Sequence, residues 1–76
     1  MWQIVDNMIY RTIDEAREQL AIYRNRKVSC YIETIGSGFK IVFGNHVGQA
    51  AAVEQIHNLR QTLKGLRATL EMITIE

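Results

Sequence analysis

The chain has no proline and only one cysteine among its 76 residues, and its two histidines are far apart. One cysteine excludes an internal disulfide, and these scattered side chains lack the ligand spacing of a zinc site. No apolar run is long enough to span a bilayer, and the first residues lack the basic leader and cleavage site of a signal peptide. The net charge of +1 supplies no field that would steer the chain to nucleic acid or to an anionic membrane.

The composition is that of an ordinary small globular domain, with 47% hydrophobic and 22% charged residues. We expect residues 1–76 to form a single domain. A chain of this size buries about 60% of its unfolded surface, which leaves little room for a deep active-site cleft. The initial methionine and the missing leader favour a complete, cytoplasmic protein. We expect no cofactor, no metal and no enzymatic activity.

Residues 28–44 alternate apolar and polar side chains on both sides of a glycine-rich turn, which is typical of a β-hairpin. A loop of Gly36 and Ser37 places glycine first, as a type II′ turn requires, and a loop of Ser37 and Gly38 is the alternative. A three-residue loop would split the apolar set, because a slip of one residue turns every side chain over. The expected cross-strand pairs are Thr34 with Phe39, Ile32 with Ile41, Cys30 with Phe43, Glu33 with Lys40 and Tyr31 with Val42.

Helices are predicted on both sides of this hairpin. Thr12 opens a capping box, Thr-Ile-Asp-Glu, and the helix that follows should continue to Asn25. The second helix should begin within residues 45–48 and continue to Lys64, with Gly65 in the left-handed position that ends many helices.

The two ends of the chain are predicted to be strands. Residues 66–76 alternate again, with one side formed by Leu66, Ala68, Leu70 and Met72. Residues 2–5 and 8–10 are both strand-like, so the first ten residues form either one bulged strand or a short hairpin closed by Asp6 and Asn7. We expect the single strand, leading into the first helix.

A faint internal repeat supports a fold of two similar halves. When the chain is shifted by 36 residues, Ala16 aligns with Ala52 and Leu20 with Ile56, and predicted strands fall on predicted strands. Two β-α-β units make a β-α-β-β-α-β chain, which is the ferredoxin-like arrangement. The predicted fold class is therefore α+β, with a four-stranded antiparallel sheet and two helices on one face.

Few side chains are spaced for chemistry. His46 should lie in the loop before the second helix and His57 on that helix away from its apolar stripe, and the sequence places no nucleophile or carboxylate beside His46. Cys30 should be a small buried thiol on the inner side of its strand. The glycines of residues 36–38 join two strands and do not lead into a helix, so they do not form a phosphate loop.

Nucleic-acid binding is disfavoured, although basic residues gather at the ends of both predicted helices. Positive charge there complements the helix dipole; the alternative is a grip on phosphate or on an acidic protein. An RNA-recognition sheet would need outward aromatic side chains for stacking, whereas the outward positions of the central strand are Lys40 and Val42. The basic residues concerned are Arg24, Arg26, Lys27, Arg60, Lys64 and Arg67.

The outward face of the sheet is the candidate contact surface. Several apolar side chains are expected there among charged ones, and a contiguous exposed apolar patch marks an interaction site. We expect another protein to bind there, or a second copy of the chain to form a homodimer; an ordinary solvated sheet face is the alternative. The expected contact residues are Tyr31, Lys40, Val42, Glu33 and Ile73.

The second half of the chain carries a recognisable order of elements. In residues 39–70 a strand ending in glycine is followed by a short loop, an alanine-containing helix and a closing strand. These residues resemble the second half of a sporulation-related repeat (SPOR) domain, although no Pro-Phe pair follows the glycine and the first half lacks a Gly-x-Phe segment. The matching positions are Ile41, Gly44, Ala52, Leu59 and Leu63.

The SPOR resemblance implies a β-α-β-β-α-β fold and binding of peptidoglycan glycan strands across the sheet, and no binding residue is transferred. The composition and the open sheet face favour a small non-enzymatic protein-binding module, an adaptor or an inhibitor that covers a partner's surface. The alternatives are a SPOR-like peptidoglycan binder and a protein that binds nucleic acid through its basic helix ends.

Overall fold

The alternating segments form one antiparallel sheet, and the segments with helical periodicity form two helices beside it. The computed structural model describes residues 1–67 and 69–75. In chain order the elements are β1 (Trp2–Asp6), α1 (Ile13–Asn25), β2 (Tyr31–Ile35), β3 (Gly38–His46), α2 (Gln49–Thr62) and β4 (Leu70–Thr74). The strands lie in the order β2-β3-β1-β4, so the ferredoxin-like β-α-β-β-α-β prediction is confirmed.

Both helices cover the same face of the sheet, and the core lies between the two layers. Ile4, Ile41 and Phe43 point from the central strands towards buried residues of the helices, such as Tyr23 and Ile56. The rings of Tyr23 and Phe43 meet edge to face, with centroids 5.0 Å apart. The predicted inner side of the hairpin is therefore confirmed. Ala16 and Ala52, which the internal repeat aligns, are both fully buried.

The helices follow the predicted signals closely. The Thr12 hydroxyl accepts a hydrogen bond from the Glu15 amide, and α1 ends at Asn25 as expected. The second helix starts after Gly48 and ends at Thr62, two residues before the predicted end. Gly65 has a φ of +91°, which confirms its positive φ, but it lies two residues after the C-cap Leu63 and so does not occupy the predicted C′ position. Neither helix is both long and apolar enough to cross a bilayer within the described part of the chain.

The hairpin register is confirmed, but the predicted turn type is wrong. Ile35 pairs with Gly38 across a two-residue loop of Gly36 and Ser37. Gly36 lacks the positive φ of a type II′ turn, and Gly38 has a φ of +148° instead. A Cβ atom on Gly38 would stand 2.3 Å from the carbonyl oxygen of Tyr10, so glycine is required where another segment approaches the strand.

The first ten residues form one interrupted strand, and its second part is the segment that approaches Gly38. β1 ends at Asp6, the chain leaves the sheet, and Tyr10 returns to pair with Phe39 through two backbone hydrogen bonds of 2.8 Å each. Val5 pairs with Val42, and Tyr10 pairs with Phe39. The five steps from Val5 to Tyr10 are therefore opposite only three steps of β3, from Val42 to Phe39. The two additional residues form the bulge, and the alternative of a short hairpin is not adopted.

Strand boundaries differ from the predictions where backbone groups find partners outside the sheet. β2 begins at Tyr31, three residues later than expected, because the Val28 amide bonds to the carbonyl of Tyr23 at the end of α1. β4 begins only at Leu70, since the Leu66 amide bonds to the Leu63 carbonyl in a turn. Two positions assigned to the terminal strand, Ala68 and Glu76, lie outside the described residues.

The two turn glycines give a matched stability test. Gly38→Ala should lower the free energy of unfolding by more than about 2 kcal/mol, because the methyl group meets the Tyr10 backbone and φ is positive. Gly36→Ala should change it by less than about 1 kcal/mol, since no atom of the described residues, apart from the two chain neighbours, lies within 4 Å of its Cβ position. Urea unfolding of both variants measures the difference, and equal losses would contradict this role for Gly38.

Candidate functional site

The face of the sheet opposite the helices carries a connected set of polar side chains. On β1, Gln3 is at the centre: its side-chain oxygen accepts a hydrogen bond of 2.9 Å from the Lys40 ammonium group. Its side-chain nitrogen donates to Glu33 Oε2 at 3.3 Å and to Asn45 Oδ1 at 3.1 Å. The Asn45 amide in turn donates to the Tyr31 hydroxyl at 2.9 Å. We call these five residues the sheet-face network.

The sheet-face network surrounds two valines that no helix covers. Val42 is 0% exposed and Val5 is 5% exposed, although both lie on the side away from the helices. Val42 is paired with Tyr31 on β2 and with Val5 on β1, so neighbouring side chains on the same face enclose it. Gln3 is itself 2% exposed. Buried polar groups are costly unless they are hydrogen-bonded, and here the Gln3 amide is fully paired.

This burial corrects one member of the expected contact set. Val42 has no exposed area, so a partner cannot touch it on this surface. Ile73 is half-buried and pairs with Gln3 on the outer side of β1, whereas Tyr31 lies at the opposite edge on β2. Three strand spacings separate those edges, about 14 Å. The structure therefore brings Tyr31, Glu33 and Lys40 together and leaves Ile73 apart.

Tyr31 is the most accessible aromatic residue of this face. Its side chain is 44% exposed, yet its hydroxyl is held by Asn45. Glu33 and Lys40 are opposite each other as predicted, but the hydrogen bond of the Lys40 ammonium goes to Gln3. Gln3 and Asn45 were missed by the sequence reasoning. Alternation in β1 could have indicated Gln3, because it shares a face with Val5.

His46 is not in a loop, because β3 continues to that residue. Its Nε2 contacts Gln55 Oε1, while Gln55 Nε2 donates to the carbonyl oxygen of Phe43 at 3.1 Å. Phe43 is the extra residue of a bulge, since Ile4 pairs with Gly44 and the next pair skips it. A Cβ atom on Gly44 would meet the Gln55 amide at 2.6 Å. His46 therefore takes part in closing the bulge.

The remaining single residues occupy structural positions. Cys30 is buried as predicted, and desolvation raises the pKa of its thiol. The nearby Arg24 charge lowers this pKa, but by less than desolvation raises it. A raised pKa leaves little reactive thiolate at neutral pH. His57 is exposed on α2, as predicted. Histidine, cysteine and carboxylate side chains of residues 1–67 and 69–75 form no group of three that could hold a metal ion.

Two of the basic residues bind backbone carbonyls. The Arg24 guanidinium donates to the carbonyl of Cys30 at 3.3 Å. Arg26 donates to the carbonyls of Thr62 and Lys64, at 3.4 and 3.3 Å, and so binds the C-terminal end of α2. A cation at that end complements the helix dipole, which supports the structural interpretation of these two arginines.

A second polar cluster lies on the inner side of the sheet, around the Asp6 carboxylate. Oδ2 accepts hydrogen bonds from the hydroxyls of Tyr10 at 2.7 Å and Tyr23 at 2.6 Å, and Oδ1 accepts from the Met8 amide at 3.0 Å. Asp6 is only 4% exposed. Desolvation, and then the hydrogen bond to Asp6, raise the pKa of both tyrosines well above the usual value. We call this group the Asp6 cluster.

No protein-family model matches this chain, and no curated protein or solved structure is similar to it at a significant level. Its function is therefore inferred from the two clusters and the surfaces around them. The Asp6 cluster is enclosed by hydrogen bonds and connects β1, the following bulge and α1. The sheet-face network is the one that presents side chains to the solvent.

The Asp6 cluster predicts a large effect from a small chemical change. Asp6→Asn keeps the shape of the side chain but removes its charge and replaces one acceptor oxygen with a donor. That donor would face either the tyrosine hydroxyls or the Met8 amide, so at least one hydrogen bond is lost. We expect the free energy of unfolding to fall by about 2–4 kcal/mol. The exposed Glu71→Gln is the control and should stay within about 0.5 kcal/mol of the wild type. Similar values for the two variants in urea unfolding would contradict this role.

The raised tyrosine pKa values predict a loss of stability at alkaline pH. Below a pH of about 10 both tyrosines are protonated in the folded and the unfolded chain, so their contribution is fully present. Above about pH 10 the unfolded chain releases these protons while the folded chain keeps them, which costs up to about 1.4 kcal/mol per pH unit for each tyrosine. The decline should be shallower for Tyr23→Phe, and identical slopes in urea unfolding would contradict this assignment.

Proposed function

We propose that the chain is a small non-enzymatic protein-binding module whose contact surface is the β2–β3 side of the open sheet face. The observation that supports this most is the state of Tyr31, an exposed aromatic side chain with an anchored hydroxyl. Tyrosine is enriched among the residues that dominate protein interfaces, because its ring buries a large area and its hydroxyl gives direction.

Pre-organisation is the second support. A side chain that is already fixed loses less conformational freedom on binding, which otherwise costs about 0.5–1.5 kcal/mol for each residue. Asn45 fixes Tyr31 and Gln3 fixes Lys40, so these two contact residues are held in position without a partner. The surface would present three side chains to a partner: the aromatic ring of Tyr31 at its edge, with Lys40 and Glu33 beside it.

Two further residues complete the proposed surface at its hairpin end. Ile35 is half-buried at the end of β2, and Ile9, next to Gly38, is 45% exposed on the bulge after β1. An apolar border beside the charged pair would favour a protein partner over a polysaccharide, since interface centres are rich in apolar and aromatic side chains.

Affinity capture from the native source, followed by measurement of the dissociation constant for the captured protein, tests this function. Tyr31→Ala should weaken binding by about 2 kcal/mol, roughly thirtyfold, because it removes the aromatic contact. Val53→Ala is the matched control: Val53 is 48% exposed on α2, away from the sheet, and its loss should leave binding unchanged. Equal effects of the two variants would exclude the sheet face as the contact surface.

Further measurements distinguish protein binding from the alternative functions. A homodimer would appear as a mass that rises with concentration in sedimentation and is lost in Tyr31→Ala. Co-sedimentation with peptidoglycan sacculi would support the SPOR-like function instead. Nucleic-acid binding would weaken steeply with added salt and would respond to the loss of Lys64 or Arg67 and not of Tyr31.

A further inference from the structure

A groove of about 230 Å³ lies on the helix side of the molecule, between α2 and the connection from α1 to β2. Its apolar lining comes from Val28, Phe43 and Leu59, which are almost fully buried but border this opening. The guanidinium of Arg26 binds the carbonyls of Thr62 and Lys64 and so connects the two walls beside the groove.

The polar part of the lining is positively charged and has free donors. Lys27, Ser29 and Asn58 border the groove, and the described part of the chain shows no hydrogen bond from any of these three side chains. No acidic side chain is among the described residues that line it. These three side chains are exposed and therefore accessible to a ligand, and an apolar lining with a few polar groups is the usual composition of a small-molecule site. Its charge would select an anion.

Lys27 is also in an unusual backbone conformation. Its φ is +62°, and no other described residue except glycine has a positive φ. Backbone hydrogen bonds to Arg24 and Tyr23 hold this reversal of the chain after α1. Lysine is rarely found in this left-handed region, where glycine and asparagine are favoured. The bonds from the Lys27 amide to Arg24 and from the Val28 amide to Tyr23 are those of the Schellman motif, so Lys27 occupies the left-handed position that ends α1. This backbone places Lys27 beside the groove.

We propose that this groove binds a small amphipathic anion, with its apolar body on Val28, Phe43 and Leu59 and its negative group near Lys27. The groove lies on the side of the sheet away from the sheet-face network, so this site is independent of the proposed protein contact. At about 230 Å³ the groove is smaller than the pockets that hold drug-sized ligands, so it would take a ligand of only about ten to fifteen non-hydrogen atoms. Ser29 and Asn58 would add hydrogen bonds to the negative group.

Titration of the ¹⁵N-labelled full chain with indole-3-acetate, followed by amide NMR, tests this site. Indole and acetate are the matched probes, since the first lacks the charge and the second lacks the apolar body. We expect indole-3-acetate to shift the amides of residues 27–29 and 55–62, and to bind about tenfold more tightly than either control. Shifts confined to other residues, or no saturation at about 10 mM, would overturn the proposal.

Three variants separate the charge of Lys27 from its position in the fold. Lys27→Asn suits the left-handed backbone and removes the charge, so it should raise the thermal midpoint and weaken indole-3-acetate about tenfold. Asn58→Asp should weaken it similarly by repulsion, whereas Lys64→Gln, an equal loss of charge outside the lining, should change it less than about twofold. Equal effects of Lys27→Asn and Lys64→Gln would show non-specific charge attraction and overturn the site.

Discussion

The carboxylate of Asp6 is the constraint on which the rest of the structure depends. It is buried on the inner face of the sheet, and the hydrogen bonds to it come from two tyrosine hydroxyls and a backbone amide. A buried carboxylate left without such partners would be costly, so the bulge after β1 and the last turns of α1 must both lie close to it. After this bulge Tyr10 pairs with β3, and its carbonyl group lies so close to position 38 that only glycine fits there.

Apolar side chains are buried in different ways on the two faces of the sheet. On the inner face, helices cover the apolar side chains of β1 and β3 in the usual manner. On the outer face, Gln3 and its hydrogen-bonded neighbours enclose Val5 and Val42 without a third layer. An 11.9 Å radius of gyration and a short axis of 16 Å fit this two-layer arrangement. The outer face is therefore stable without a partner and still presents Tyr31 in a fixed position.

Each of the two surfaces to which we assign functions lies beside a β-bulge. The first, after β1, exposes Ile9 beside the hairpin end of the open face. The second, at Phe43, directs two successive residues towards the helix side, where Gln55 closes the bulge and Phe43 lines the groove. The break in alternation at Asp6 and Asn7 predicted the first bulge. The alternation through Phe43 gave no sign of the second, because a bulge shifts the strand register without a change in the local pattern. His46 belongs to β3 and not to a loop because it pairs with Trp2 of β1.

The sequence alone determined the order of the elements, the hairpin register, the Thr12 cap and the inner position of Ile41 and Phe43, because these depend on local periodicity and on neighbouring backbone groups. Of the candidate site it predicted Tyr31, Glu33 and Lys40 on one face. Only the tertiary structure decided that Val42 is enclosed, that Gln3 and Asn45 hold the exposed residues, and that Lys27 borders a groove. The hydrogen bonds of Gln3 and Asn45 join residues 14 to 42 positions apart, and local patterns do not indicate such pairs.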